Sequence, residues 1–170
     1  NELISYDNIE ADLYADDSYI LVKQLSFTHG KSQLALHGEL SNYQALFGID
    51  NEKSVLTAYL DATDFELEDW LPQNQVKSTS KSSDTYLNHI DLKLKAKITR
   101  FKFDRFVATQ LSSNVYFKEK QFRFDSLNFN AMDGRVAASG VIELQQHGGF
   151  DLICNSKLSK ISITKLFEQL

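Results

Sequence analysis

The side chains able to do chemistry in this chain are few and scattered. Four histidines, His29, His37, His89 and His147, have no HxH or HExxH spacing, and a metal site needs ligands that converge from several positions. Asp61, Asp64, Glu66, Glu68 and Asp69 form an acidic group that suggests calcium. The Asp-x-Asp-x-Asp-Gly loop and the later bidentate Glu are missing, and acidic residues at a helix start account for the group. Asp16-Asp17 is a carboxylate pair at an expected hairpin turn, where Asp is favoured. There is no Gly-x-Ser-x-Gly, no phosphate-binding glycine loop and no dinucleotide fingerprint. Lys93, Lys95 and Lys97 make a basic strand face. A nucleic-acid binder would interleave aromatics on that same face, and here they read as lying elsewhere. Cys154 stands alone, which excludes an internal disulfide framework and a Cys-rich zinc site. It reads as a small buried apolar residue. The expectation is a non-enzyme with no catalytic residue, no metal, no cofactor and no nucleic-acid partner.

What remains is apolar sheet surface, and the stretch at 121–144 organises it. Phe122, Phe124, Leu127 and Phe129 alternate with polar residues. Val136, Ala138, Gly140, Ile142 and Leu144 do the same after the break at Met132-Asp133-Gly134. Strict alternation places one set of side chains on one sheet face, so this is a predicted β-hairpin with one apolar side. Residues 90–98 give the cleanest period-2 run: Ile90, Leu92, Leu94, Ala96 and Ile98 against Asp91 and the three lysines.

The same pattern occurs twice. Ile20, Val22, Leu25 and Phe27 match Phe122, Phe124, Leu127 and Phe129, and Leu34, Leu36, Gly38 and Leu40 match Val136, Ala138, Gly140 and Ile142, at a constant offset of 102. Both copies slip in parity by one residue, at Lys23-Gln24 and at Asp125-Ser126. A slip turns the side chains to the other face unless an extra residue is absorbed, so a β-bulge is predicted at each. Leu56, Ala58 and Leu60 then match Leu152, Cys154 and Ser156 at an offset of 96. A short helix is predicted to close each copy, over 64–71 before Pro72 and over 162–170. The predicted organisation is a first unit at 1–72 lacking its leading strand, a polar Ser-rich loop at 73–88 and a second unit at 89–170. Both belong to one mainly β, antiparallel curved sheet. The 42–53 loop holds Tyr43, Leu46, Phe47 and Ile49 and is expected to pack on the sheet.

Composition sets the outer limits. An apolar fraction of 42% lies above the disordered range. No apolar run is long enough to cross a bilayer as a helix. The net charge of −5 is unevenly spread: residues 1–84 carry 5 Lys+Arg against 15 Asp+Glu, and residues 85–170 carry 13 against 8. That asymmetry suits an anionic partner near the second half, or two solvated surfaces that partly neutralise each other. The chain opens inside an expected strand without Met and reads as a piece of a longer protein.

The run from Ile90 to Leu144, with its Phe122-x-Phe-x-x-Leu127-x-Phe129 strand, the Gly134 turn and Val136-x-Ala-x-Gly140-x-Ile142, resembles the C-terminal region of the AsmA family of Gram-negative envelope proteins, to which the TamB-like proteins are related. The tail at 157–167 is similar to the family's strand-then-short-helix ending. The resemblance implies a periplasmic body anchored by one N-terminal membrane helix outside this sequence, and a role in outer-membrane biogenesis and lipid transport. It carries over no catalytic residue. The expected lipid-contact wall is Phe122, Phe124, Leu127, Phe129, Val136 and Ile142. The competing expectation is a structural or protein-interaction β-module with a closed core, whose open sheet edge binds a partner strand. A carbohydrate-active protein would need paired carboxylates beside exposed aromatics in a cleft, which the sequence does not place.

Overall fold

The computed structural model describes residues 6–49, 52–70, 89–145 and 150–169. Nine strands form one sheet in sequence order. They are β1 (Asp7–Ala15), β2 (Tyr19–His29), β3 (Ser32–Ser41), β4 (Ser54–Glu66), β5 (Ile90–Phe103), β6 (Phe106–Lys118), β7 (Gln121–Ala131), β8 (Gly134–Leu144) and β9 (Phe150–Ser159). Two 3-10 turns, Tyr43–Phe47 and Leu67–Trp70, and one helix, α1 (Ile163–Gln169), complete the described elements. The sheet does not close: β1 and β9 are its two edges.

Every neighbouring pair is antiparallel except β4 and β5, which run parallel from Ser54↔Ile90 to Glu66↔Lys102. The sheet is thus mostly antiparallel, as expected, with a single parallel step. Parallel neighbours need a crossover of a dozen or more residues, and the 67–89 connection supplies it; the Ser-rich loop expected within it lies outside the described residues. The parallel ladder corrects the helix expected at 64–71. Asp64, Phe65 and Glu66 pair with Arg100, Phe101 and Lys102, so the strand continues to Glu66 and the 3-10 turn Leu67–Trp70 follows it. The closing helix of the second half does form, as α1.

Both predicted bulges fall at register shifts. The β2–β3 ladder breaks between Val22 and Leu25, and the β7–β8 ladder between Phe124 and Leu127. Around them the pairings run in step. Val22↔Gly38 and Leu25↔Leu36 correspond to Phe124↔Gly140 and Leu127↔Ala138, 102 residues on. Gly38↔Ala58 and Leu36↔Leu60 correspond to Gly140↔Cys154 and Ala138↔Ser156. The backbone adds a further pair that side-chain periodicity does not show. Asn8 and Gln110, also 102 apart, both take a left-handed backbone, with φ of 53° and 54°. Each sits at a register shift, in β1 against β2 and in β6 against β7.

The 42–53 loop packs only in part. Ala45 is fully buried and Tyr43 and Leu46 are half-buried, whereas Phe47 and Ile49 are exposed. Cys154 is not buried either: it is an exposed free thiol. Its strand, β9, has no neighbour on its outer side among the described residues, a fact of topology that a local alternation pattern does not contain.

Candidate functional site

The paired residues of successive strands share a face, so the registers trace apolar rows across the sheet. One row runs Ala15, Ile20, Leu40, Leu56, Leu92, Phe117, Phe122, Ile142, Leu152. The next runs Leu13, Val22, Gly38, Ala58, Leu94, Val115, Phe124, Gly140, Cys154. Neither row contains a polar side chain before the Cys154 thiol, and both cross all nine strands. The six expected wall residues all lie on this face. Phe122, Phe124, Leu127, Phe129 and Ile142 are half-buried and Val136 is buried. Among the described residues no second sheet lies over them, and the only helix has seven residues.

One end of the face is lined by an aromatic belt that the sequence did not disclose. Ring centroids follow one another from Tyr6 to Phe27 at 5.5 Å, Phe27 to Trp70 at 6.2 Å, Trp70 to Phe65 at 5.7 Å and Phe65 to Phe101 at 6.0 Å. They continue to Phe106 at 6.3 Å and Phe129 at 6.0 Å. These separations lie in the range of favourable aromatic pairs. Two small cores back the belt. Leu34, Ala62 and Ile98 are buried under Trp70, Phe27 and Phe65. Ala108, Ala131 and Met132 are buried under Phe106, Phe129 and the α1-side residues Ile161 and Leu166.

A hydroxyl fixes Trp70 in the belt. Ser32 is fully buried. Its Oγ accepts from the Glu66 backbone N–H at 3.0 Å and from Trp70 Nε1 at 3.3 Å, and donates to Asp69 Oδ2 at 3.4 Å. His29 Nε2 donates to the Asp69 carbonyl at 2.8 Å. Ser, His and Asp therefore meet, but not as a nucleophile and its base. The hydroxyl has no solvent access, and its acceptor capacity is taken by an amide and an indole, whereas a nucleophile must present a free oxygen beside a general base. The Glu66 carboxylate, beside this knot, is held by Lys31 at 3.2 Å and Lys102 at 3.6 Å. These carboxylates and the parallel ladder use up most of the acidic group that had suggested calcium. Among the described residues no three His, Cys, Asp or Glu side chains gather as a metal site.

The opposite face is polar. Register sets Lys93 between Thr57 and Tyr116 and Lys95 between Tyr59 and Asn114. Tyr59 is exposed and stacks on His37 at 4.8 Å, while Arg123 lies 4.7 Å from the Tyr116 ring. Aromatics thus do share the lysine face, contrary to the sequence reading, because the neighbours of β5 are set by long-range register. A cavity of about 840 Å³ is elsewhere again. It sits at the Met132-Asp133 turn, where Thr109, Asn130, Arg135, Lys160 and Lys165 line it, and of the wall residues none borders it.

Asp16 holds the turn between β1 and β2. Asp16 Oδ1 accepts from the Ser18 N–H at 2.8 Å, the Ser18 hydroxyl at 2.9 Å and the Tyr19 N–H at 3.1 Å. The backbone bond from Ser18 is the main reason its pKa lies below the usual carboxylate value. Among the described residues the arrangement offers an apolar sheet surface and two strand edges. No protein-family model, curated protein or solved structure matches this chain.

Proposed function

We propose that this chain is a non-enzymatic, AsmA-like module of the Gram-negative cell envelope, periplasmic and tethered through an anchor outside this sequence, whose apolar sheet face holds lipid acyl chains. The observation that carries the reading is the pair of unbroken apolar rows crossing all nine strands, with the six wall residues among or beside them. An acyl chain laid along these rows removes apolar surface from water, worth about 25 cal/mol per Å² before the cost of ordering the chain. The aromatic belt gives the surface one defined end.

The reading includes a duplication. The step-for-step agreement of registers at offsets of 102 and 96 supports two related β-units in one sheet. Bulges bend and twist the strands that carry them, so the register shifts shared between β1–β2 and β6–β7 and between the two hairpins favour a curved trough over a flat sheet.

Delipidated protein titrated with cis-parinaric acid tests this. Expected is saturable binding that Phe122→Asp and Ile142→Asp each weaken at least tenfold, while Lys95→Ala on the opposite face leaves it unchanged and all three retain the sheet by circular dichroism. Folded protein that takes up no fatty acid overturns the reading. The second reading, an interaction module with no ligand, is favoured by a separate observation, the exposure of both edge strands.

A further inference from the structure

Among the described residues, six of the thirteen large hydrophobic side chains left exposed belong to the two edge strands: Ile9, Leu13 and Tyr14 on β1, and Leu152, Ile153 and Leu158 on β9. Ile153 is 73% exposed and Leu13 55%. Proteins ordinarily blunt a sheet edge with proline, bulges or inward charge. β9 has no proline and no bulge: its ladder with β8 is regular over ten pairs, from Arg135↔Ser159 to Leu144↔Phe150, and its charged residues are Asp151 and Lys157. Its outer N–H and C=O groups form a ready strand template. β1 bulges at its start, at Asn8, and its ladder with β2 shifts once more between Asp12 and Leu13; among the described residues no strand covers its outer side from Glu10 to Ala15.

The two edges fit each other. Along the sheet β1 and β9 run in opposite directions, so a second copy set beside the first brings its β1 antiparallel to β9. One register continues the apolar rows without a step. In it Leu152 meets Ala15, Cys154 meets Leu13 and Ser156 meets Ala11. On the polar face Ile153 then meets Tyr14, Asn155 meets Asp12 and Lys157 meets Glu10. The charges agree at one end: β1 carries Asp7, Glu10 and Asp12 and no cation, while Lys157 lies in the second half of β9 and Lys160 just after it; at the other end Asp151 comes opposite Asp16, beyond the end of β1. Apolar faces would join apolar faces, and exposed Ile153 and Tyr14 would cover one another.

We propose that the β9 edge is a docking site for the β1 edge of a second copy of this chain, in the register that sets Cys154 opposite Leu13. The contact is head-to-tail, so it leaves a free β1 and a free β9 at either end and can repeat. It extends the apolar rows from one copy to the next, and it stands whether or not those rows bind lipid.

Cys154 is the chain's single cysteine, which makes the register readable. Facing residues of an antiparallel pair have Cα atoms about 4.5–5.5 Å apart, within the span of a disulfide. A Leu13→Cys, Cys154→Ser variant mixed with wild type under mild oxidation is expected to give heterodimers. Mass spectrometry should find the peptide around position 13 of the variant disulfide-linked to the Cys154 peptide of the wild type. The expected yield is at least tenfold above that of a Ser139→Cys, Cys154→Ser control. In sedimentation the wild type should gain mass with concentration. Lys157→Glu should weaken that association about tenfold, and Glu10→Lys in the same chain should restore it. A chain that stays monomeric at every concentration overturns the proposal. So does cross-linking no greater than in the control, or association that ignores Lys157→Glu, which would place the contact on another surface.

Discussion

Phe124 lies across Gly140 on the neighbouring strand: a β-carbon at position 140 would stand 2.6 Å from Phe124 Cζ and closer still to the Ile153 carbonyl oxygen. Gly38 is hemmed in the same way by the Thr57 carbonyl and by Ala58 Cα at 2.8 Å. Thr57 and Ile153 are 96 apart and the two glycines 102 apart, the offsets of the register itself. Neither glycine has a left-handed backbone, so its purpose is close approach of strands rather than a turn. Alanine at either site forces the strands to separate or the ring to move, and overpacking of that kind costs about 1–3 kcal/mol. Gly140 borders β9, an edge that can yield; Gly38 borders β4, which β5 holds from behind. Urea denaturation should therefore show Gly38→Ala as the more damaging, and the two effects should add, since the sites are far apart. An equal or reversed order would mean that the edge strand is as stiff as the centre.

The knot at Ser32 makes a second prediction. Ser32→Ala removes the acceptor of two donors, the buried Glu66 N–H and the part-buried Trp70 indole N–H. An unsatisfied buried donor costs about 1–3 kcal/mol, so the loss should be on the order of 2 kcal/mol in urea. Trp70 is the only tryptophan, and its emission reports whether the indole leaves the belt. A change below about 0.5 kcal/mol, the scale of an ordinary surface substitution, would show that the hydroxyl is not what holds Trp70.

What can be read in the sequence follows from what is local. Strand existence, the apolar side of each strand and the bulges at Lys23-Gln24 and Asp125-Ser126 all leave a mark on the period of the side chains, and the ladders shift there. The parallel pairing of β4 with β5 leaves no such mark, because alternation is the same in either sense. For the same reason periodicity does not place Tyr59 beside Lys95 or Tyr116 beside Lys93: the residues adjacent to a strand are chosen by register, not by its own sequence. Cys154 reads as buried from its alternating run, yet it is exposed, because being an edge is a property of the whole sheet. The aromatic belt is hidden because Trp70 joins it by folding back onto Phe65 and Ser32, and the pattern around 64–71 fits a helix equally well.

The Asp16 turn gives a pH dependence with a definite sign. Its carboxylate is better held folded than unfolded, so its folded pKa lies below the ordinary value of 3.8. The stabilisation it contributes is complete above the unfolded value and is lost as pH falls through the lower folded value. A carbon-detected NMR titration should place the Asp16 midpoint below 3.8. Replacing Ser18 with Ala removes one of its donors and should move the midpoint upward. A midpoint at the unfolded value would mean that the three bonds do not persist in solution.

The turn between β6 and β7 is built with the wrong residues for its shape, which makes it improvable. Glu119 and Lys120 both have a left-handed backbone, with φ of 52° and 65°. Two successive residues of this kind between antiparallel strands make a type I′ hairpin, whose preferred pair is Asn-Gly because other side chains crowd the backbone there. Glu119 contributes one distant ion pair, to Lys53 at 3.9 Å with its own side chain well exposed, and such pairs are worth little. Glu119→Asn with Lys120→Gly should therefore raise stability by about 1 kcal/mol, part of the relief being offset by the greater freedom glycine gives the unfolded chain. The denaturation midpoint should rise with an unchanged slope. A fall in the midpoint would show that the interaction Lys120 makes is worth more than the strain of its backbone.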